Sequence, residues 1–347
     1  MWARDSRMYF QISDDNGKSF SAIKQVAIPK EKISARNENR PKIAFDNYQG
    51  VYLSWAMPRE RKYTADVRFS YSNDYGKTFS QPITVNNDNL LAGHSFNEML
   101  VTPEGEISIV WLDGRLSHQL RKAGKKTNGS ALYLAKANYR EQQTSFSNQR
   151  LANNTCVCCR IAMDFNTQGE PAIFWRHIYG DNIREFALLT LEGDENSSVK
   201  PYQISHDHWK INGCPHQGGA ISIDDDNRYH MVWFNQGDVG KGIFYAASDD
   251  QGKTLSTPMS VGDNMAQSAH PHLTVFGNKL AIVWLQFNGT EHELWQISSN
   301  DLGKTFAKAK LLGKAKQGAD RPFIVKKDNN AYVSWHRFKQ GHLLQVL

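Results

Sequence analysis

The sequence predicts an all-β fold, a six-bladed β-propeller with a seven-bladed form as the alternative, and two repeats carry that expectation. The first repeat is a short apolar strand, a turn rich in Asp, Asn or Gly, and a second apolar strand ending in Trp. It occurs six times, with tryptophans at Trp55, Trp111, Trp175, Trp233, Trp284 and Trp335, spaced by 56, 64, 58, 51 and 51 residues. Such spacing suits one four-stranded blade per repeat. The second repeat, S-x-D-x-G-x-[S/T]-[F/L], stands at Ser13–Phe20, Ser72–Phe79, Ser248–Leu255 and Ser299–Phe306. Each copy follows an alternating strand, and the motif has the parts of a hairpin. Its Asp accepts turn amides, its Gly supplies positive φ, and its last residue packs between sheets.

Taken in order, Arg7–Ser13 reads as a third strand leading into the first turn motif. Arg40–Asp46 with Val51–Trp55, and Arg321–Val325 with Ala331–Trp335, are the clearest first and second strands. The blades of Trp111 and Trp175 lack a clear turn motif, so their outer strands, near Ala131–Ala137 and Arg184–Leu191, rest on alternation alone. The chain ends in Gly341–Leu347, which also reads as a third strand. The N-terminal strands are therefore expected to complete the last of six blades, within a single domain spanning 1–347. Trp2, 53 residues before Trp55, speaks for a seventh blade instead. Ser117–Ser130, carrying Arg121, Lys122, Lys125 and Lys126, reads as a mobile basic flap. Little helix is expected, since no stretch sustains a 3.6-residue period between caps.

Composition narrows the function classes. Of 347 residues 40% are apolar and 22% charged, a globular balance. No apolar run reaches the eighteen residues of a membrane span, and Met1–Arg7 lacks the apolar core of a secretory signal. The chain is read as periplasmic or secreted, with its leader absent. The formal net charge of +6 can steer an anion but falls short of a nucleic-acid signature, so no nucleic-acid partner is expected. Three of the four cysteines fall within four residues, Cys156, Cys158 and Cys159, with Cys214 downstream.

The turn repeat resembles the Asp box of sialidases and related propellers, and the resemblance covers essentially the whole chain. It implies that the Asp boxes are structural and that chemistry sits on the opposite face, where first strands start and second strands end. Fourteen or fifteen residues before the repeat tryptophans stand Arg40, Asn97, Ile161, Gly219, His270 and Arg321. Arg115, Arg160, Arg176 and His270 are the expected ligand-binding residues of that face. The resemblance further implies an arginine triad clamping a substrate carboxylate, a Tyr nucleophile activated by Glu, and an Asp acid. Arg40 and Arg321 resemble the first sialidase arginine, although both have Arg-Pro where the family has Arg-Ile-Pro. Asp113 is the candidate acid, and Tyr179 with Glu185 the candidate nucleophile pair.

A second reading is a metal site. Cys156-Val157-Cys158-Cys159 and Cys214-Pro215-His216 both enter first strands of adjacent blades, and thiolates with imidazole suit copper or zinc. In an exported protein the same four cysteines can instead form two disulfides, or stay as thiols. The C-x-C-C segment with the later Gly-Cys-Pro also resembles a subgroup of bacterial Asp-box proteins labelled sialidase-like. The functional expectations are thus a small-molecule or glycan ligand bound by a Cys/His/Arg-rich face, an exo-sialidase-type hydrolase, or a protein-interaction module.

Overall fold

The computed structural model describes residues 1–35, 37–139, 145–191, 200–327 and 329–347. The chain falls into two compact units, Met1–Val157 and Cys158–Leu347. In the first, β1 (Trp2–Arg4), β2 (Arg7–Phe10) and β3 (Lys24–Gln25) form a three-stranded sheet. A four-stranded sheet follows, of β4 (Lys42–Phe45), β5 (Val51–Pro58), β6 (Ala65–Ser72) and β7 (Ile83–Thr84). Next, β8 (His94–Val101), β9 (Glu106–Asp113), β10 (Ser130–Asn138) and β11 (Ser147–Thr155) pair in chain order, with helix α1 (Arg115–Lys122) between β9 and β10.

The second unit repeats the plan. Its first set is β12 (Ala162–Phe165), β13 (Pro171–Tyr179), β14 (Ile183–Thr190) and β15 (Tyr202–Gln203). The second is β16 (Ala220–Ile223), β17 (Tyr229–Gly237), β18 (Gly240–Ser248) and β19 (Met259–Val261). The third is β20 (Ala269–Phe276), β21 (Lys279–Phe287), β22 (His292–Ser299) and β23 (Lys310–Ala315). The last sheet has three strands, β24 (Phe323–Lys327), β25 (Asn330–Arg337) and β26 (Gly341–Val346).

Every pairing within these sets is antiparallel between consecutive strands, the pattern of a meander. The second strand of each Trp-bearing set is largely buried along its length. All six repeat tryptophans are at most 1% exposed. The apolar clusters accordingly lie between successive sets: Trp233 packs among Phe174, Phe186 and Leu188 of the preceding set, and Trp284 among Val232, Phe234 and Tyr245 of the one before it. Face-to-face packing of this kind is what a repeat with a doubly buried strand requires.

The four turn motifs adopt one hydrogen-bonding pattern. In the copy at 72–79, Ser72 Oγ donates to Asp74 Oδ1 at 2.7 Å and accepts from Gly76 N at 2.8 Å. Asp74 accepts from Thr78 N at 2.9 Å and from Thr78 Oγ1 at 2.7 Å. The same contacts recur around Asp15, Asp250 and Asp301. The glycine of each copy has φ between 76° and 91°. Donation from the Ser or Thr four residues on holds the carboxyls of Asp15, Asp74 and Asp301 down at about 2. Phe79, Leu255 and Phe306 pack against apolar clusters as expected, but Phe20 is 48% exposed, because its sheet has only three short strands to cover it.

Two expectations are corrected. Among the described residues β1 to β3 pair only with one another, as a sheet separate from that of β24 to β26. The basic segment 117–130 does not start as a flap: α1 opens it, Ser117 is buried, and Ser117 Oγ donates to Gly129 O at 2.7 Å, closing the segment on itself. Among the described residues this eight-residue helix and one 3-10 turn at Asn264–Ala266 are all the helix there is, and no helix is long and apolar enough to cross a membrane.

Candidate functional site

In the second unit, a cavity of about 270 Å³ opens where first strands start and second strands end. Arg321 enters from the segment before β24, His270 from the start of β20, and Lys241 and His292 from the hairpins β17–β18 and β21–β22. Gln217 and Gln286 supply neutral polar groups, and the described lining contains no carboxylate. The position of His270 has a local cause. The β20–β21 register slips between Ala269 and His272, His270 takes φ 54°, and a bulge of this kind re-aims a side chain out of the ladder. Its amide then donates to Gln217 Oε1 at 3.2 Å. Ser268 Oγ donates to Gln286 Oε1 at 3.2 Å, fixing that amide. Burial and the nearby Arg321 charge both push His292 below its ordinary pKa, so at neutral pH it offers a neutral imidazole.

Beside Gln217 in the sequence lies a group of soft donors. The ligand atoms of Cys158, Cys214 and His216 all lie within 4.8 Å of one another, Cys158 buried and the other two exposed. His216 sits at φ 51°. Zn–S bonds of about 2.3 Å and Zn–N bonds of about 2.0 Å place ligand atoms of one ion at such separations. In the four-residue turn 156–159, the sulfurs of Cys156, Cys158 and Cys159 also lie within 4.8 Å of one another, so Cys158 is common to both groups. No disulfide joins the four cysteines in this structure.

Several expected ligand residues are instead spent inside the fold. Arg160 is 7% exposed and donates from Nε and Nη2 to Gly219 O at 3.1 and 2.8 Å, and from Nη2 to Pro271 O at 2.8 Å. Arg176, 2% exposed, donates to Arg184 O, Gln217 O and Phe234 O, the last at 2.6 Å, with its guanidinium 4.3 Å over Phe186 and 4.9 Å over Trp209. Both arginines are satisfied by backbone carbonyls, a use that sequence does not distinguish from ligand binding.

The nucleophile pair is not assembled for catalysis. Glu185 is fully buried, with Oε2 accepting from Ser205 Oγ at 2.5 Å and Oε1 from His208 N at 2.6 Å. Burial, helped by the Glu185 charge, pushes Tyr179 up to about 12, the reverse of activation.

In the first unit, Asp113 is also fully buried. It accepts from Trp111 Nε1 at 2.8 Å and from Arg115 N and Nε at 2.9 and 3.0 Å, which is a turn and ion-pair role. Arg115 continues to Asp88 at 3.0 Å and to Asn87 at 2.7 Å, and stacks 4.1 Å over Tyr133. Asp88, His94 and Asp113 have ligand atoms within 4.8 Å of one another, but the Arg115 charge already occupies this cluster. His94 is fully buried, 2.7 Å from Ala65 O and 3.1 Å from Asp88 Oδ2; burial works against its charged form, yet those partners raise its pKa overall. Arg40 lies half-buried just before β4 in this unit, whereas Arg321 belongs to the second.

Sequence reasoning missed Gln217, Lys241 and His292. The usable signal was positional: the last two flank hairpins between second and third strands, the connection that borders the cavity.

No protein-family model matches the chain, and no curated protein matches its sequence. Solved structures do resemble it. The Hadza microbial sialidase Hz136 is similar over 89% of this chain and 67% of its own, at 12% identity and a TM-score of 0.57. A protein of unknown function from Dyadobacter fermentans is similar over 91% of this chain and 96% of its own, at 15% identity and a TM-score of 0.57. An ulvan lyase of polysaccharide lyase family PL25 is similar over 89% and 78%, at 10% identity and a TM-score of 0.51. At these identities the likeness is one of fold, and it gives the chain an all-β, propeller-like, sialidase-like architecture.

Proposed function

We propose that this chain is an exported, six-Trp-repeat propeller of the sialidase-like, Asp-box kind that binds an acidic glycan through the cavity around Arg321. The observation that carries the reading is the donor set of that cavity: Arg321, Lys241 and His270 line it together with Gln217 and Gln286. A planar guanidinium beside neutral amides suits a sugar carboxylate, which accepts paired N–H bonds, while Gln217 and Gln286 suit hydroxyls. Glycan-acting proteins among the structural neighbours support the substrate class. Binding is favoured over sialidase-type hydrolysis because Tyr179 is pushed up to about 12 and both oxygens of Glu185 are engaged.

The soft donors Cys158, Cys214 and His216 form the second part of the reading, a copper or zinc site next to Gln217, with Cys156 and Cys159 available nearby. Two thiolates and an imidazole select such ions over magnesium or calcium. The experiment for the glycan site is calorimetric titration with 3′-sialyllactose and with glucuronate, comparing wild type with Arg321→Ala. Wild-type binding to either, lost at least tenfold in the variant, is expected. A wild type that binds neither acid, or a variant that binds equally well, overturns the assignment.

A further inference from the structure

A second cavity is present besides the one around Arg321. It lies in the first unit, about 650 Å³ in volume, between the β5–β6 connection and helix α1. Pockets for small ligands run from about 300 to 1,000 Å³. One wall carries Arg61 and Lys62, the other His118, Arg121 and Lys122, and no carboxylate is in the lining. The apolar part of the surface comes from Tyr63, Leu91 and Ala92. We propose that this cavity is a separate binding site for a polyanionic polysaccharide segment, one bearing sulfate or uronate groups along its length.

Three features argue for a built site. First, none of the five basic groups forms an ion pair with an acid among the described residues, although Arg59 two positions away is paired with Glu60 and Asp66 at 3.6 Å each. Facing like charges repel across the cavity, and an anion between them relieves that repulsion. The last-turn position of Arg121 and Lys122 also suits the helix dipole, but that accounts only for the α1 wall. Second, Tyr63 is 86% exposed and held at φ 64°, a backbone region a bulky residue rarely occupies. The turn imposes it: Thr64 N and Oγ1 both donate to Arg61 O, at 3.1 and 2.6 Å, and Arg59 N donates to Thr64 O at 3.0 Å. An aromatic ring kept out of any core beside a cationic pocket offers a platform for a sugar ring.

Third, the floor is rigid. Ala65 N donates to Ala92 O at 3.1 Å and Gly114 N to Gly93 O at 2.7 Å. A Cβ on Gly93 would stand 3.0 Å from Tyr63 O, and one on Gly114 3.0 Å from Gly93 N, so both glycines permit this close approach. Two basic walls are thereby held at a fixed distance. A concave site with one aromatic face fits a chain of charged sugars better than a flat membrane or a base-stacking strand, which would call for a plane or for several aromatics.

The test is fluorescence anisotropy with a labelled heparin-type sulfated hexasaccharide and a labelled oligogalacturonate, at low and moderate salt. Arg121→Glu/Lys122→Glu is expected to weaken binding at least tenfold and to flatten the salt dependence. Tyr63→Gly, which relieves the positive φ, is expected to weaken binding at least threefold while the melting temperature stays level or rises. Added to an Arg321→Ala background, Arg121→Glu/Lys122→Glu is expected to weaken binding of these probes by the same factor as in wild type, so this proposal stands or falls apart from the one above. Wild type that binds neither oligosaccharide, a double variant within twofold of wild type, no further loss when the double change is added to Arg321→Ala, or tighter binding to a single-stranded oligonucleotide or to phosphatidylserine vesicles overturns it.

Discussion

Replacing Arg176 by Met asks whether a buried arginine near the cavity serves the ligand or the fold. The guanidinium makes bonds to three carbonyls, of Arg184, Gln217 and Phe234, at 3.1, 3.2 and 2.6 Å. Methionine keeps much of the volume over Phe186 and Trp209 but supplies no donor. Each carbonyl left without a partner in a site 2% exposed costs about 1–3 kcal/mol, and incomplete relaxation admits some water. A loss of about 3–5 kcal/mol is therefore expected, a large part of the roughly 5–15 kcal/mol that holds a domain folded. Urea unfolding followed by tryptophan fluorescence reads it, since the guanidinium stands 4.9 Å over Trp209 and Trp233 packs in one cluster with Phe186. Binding of the folded variant to an acidic sugar should stay within threefold of wild type. A variant as stable as wild type but unable to bind would refute the reasoning and return Arg176 to the ligand.

Three further outcomes are expected. Burial alone pushes His177 down to about 4, and its Nδ1 has no hydrogen-bond partner, so the neutral form is the folded one. The stability this confers is complete above about pH 6.5 and is lost as pH falls toward 4, by about 3 kcal/mol at most; a pH series of urea midpoints should show His177→Phe losing that slope, and an unchanged slope would contradict it. The turn carboxyls at about 2 contribute in a lower window, lost between pH 3.8 and 2, so amide exchange at Gly76 and Thr78 should stay slow at pH 4 and quicken in Asp74→Ala at any pH. Elemental analysis after loading with copper(I) or zinc should find bound metal in wild type and a clear loss in Cys158→Ser, the residue shared by both thiol groups; equal metal in both would remove the site.

The fold was legible because its signals are periodic and local. A tryptophan buried between sheets, or an Asp bonded to a residue four positions on, writes its environment into the neighbouring letters. The site was less legible because its partners are remote. Arg160 and Pro271 are 111 residues apart, and no pattern around Arg160 announces a carbonyl waiting there. Asp113 misled for the opposite reason: Trp111-x-Asp113-x-Arg115 looks like exposed chemistry, yet two-residue spacing on β9 puts Asp113 on the buried face of Trp111, and Arg115, opening α1, turns back onto its carboxylate. The closure at the N-terminus failed as an expectation because a lone strand pattern carries no information on its pairing partner.

The four identical turns bear on how the chain finds its fold. Each one closes a hairpin between strands adjacent in sequence, with its charges and amides satisfied inside eight residues, so a sheet containing it needs nothing distant to begin forming. Loop closure over such short spans is fast, and chains dominated by near neighbours fold faster than sandwiches wired between distant strands. The sets of Trp111 and Trp175 carry no clear copy of the motif in sequence, and the Cys-rich turn and the buried arginine Arg176 belong to this part of the chain. A hairpin that closes locally needs no distant partner, whereas the soft donors of Cys158 and Cys214 meet only when segments far apart in the chain come together.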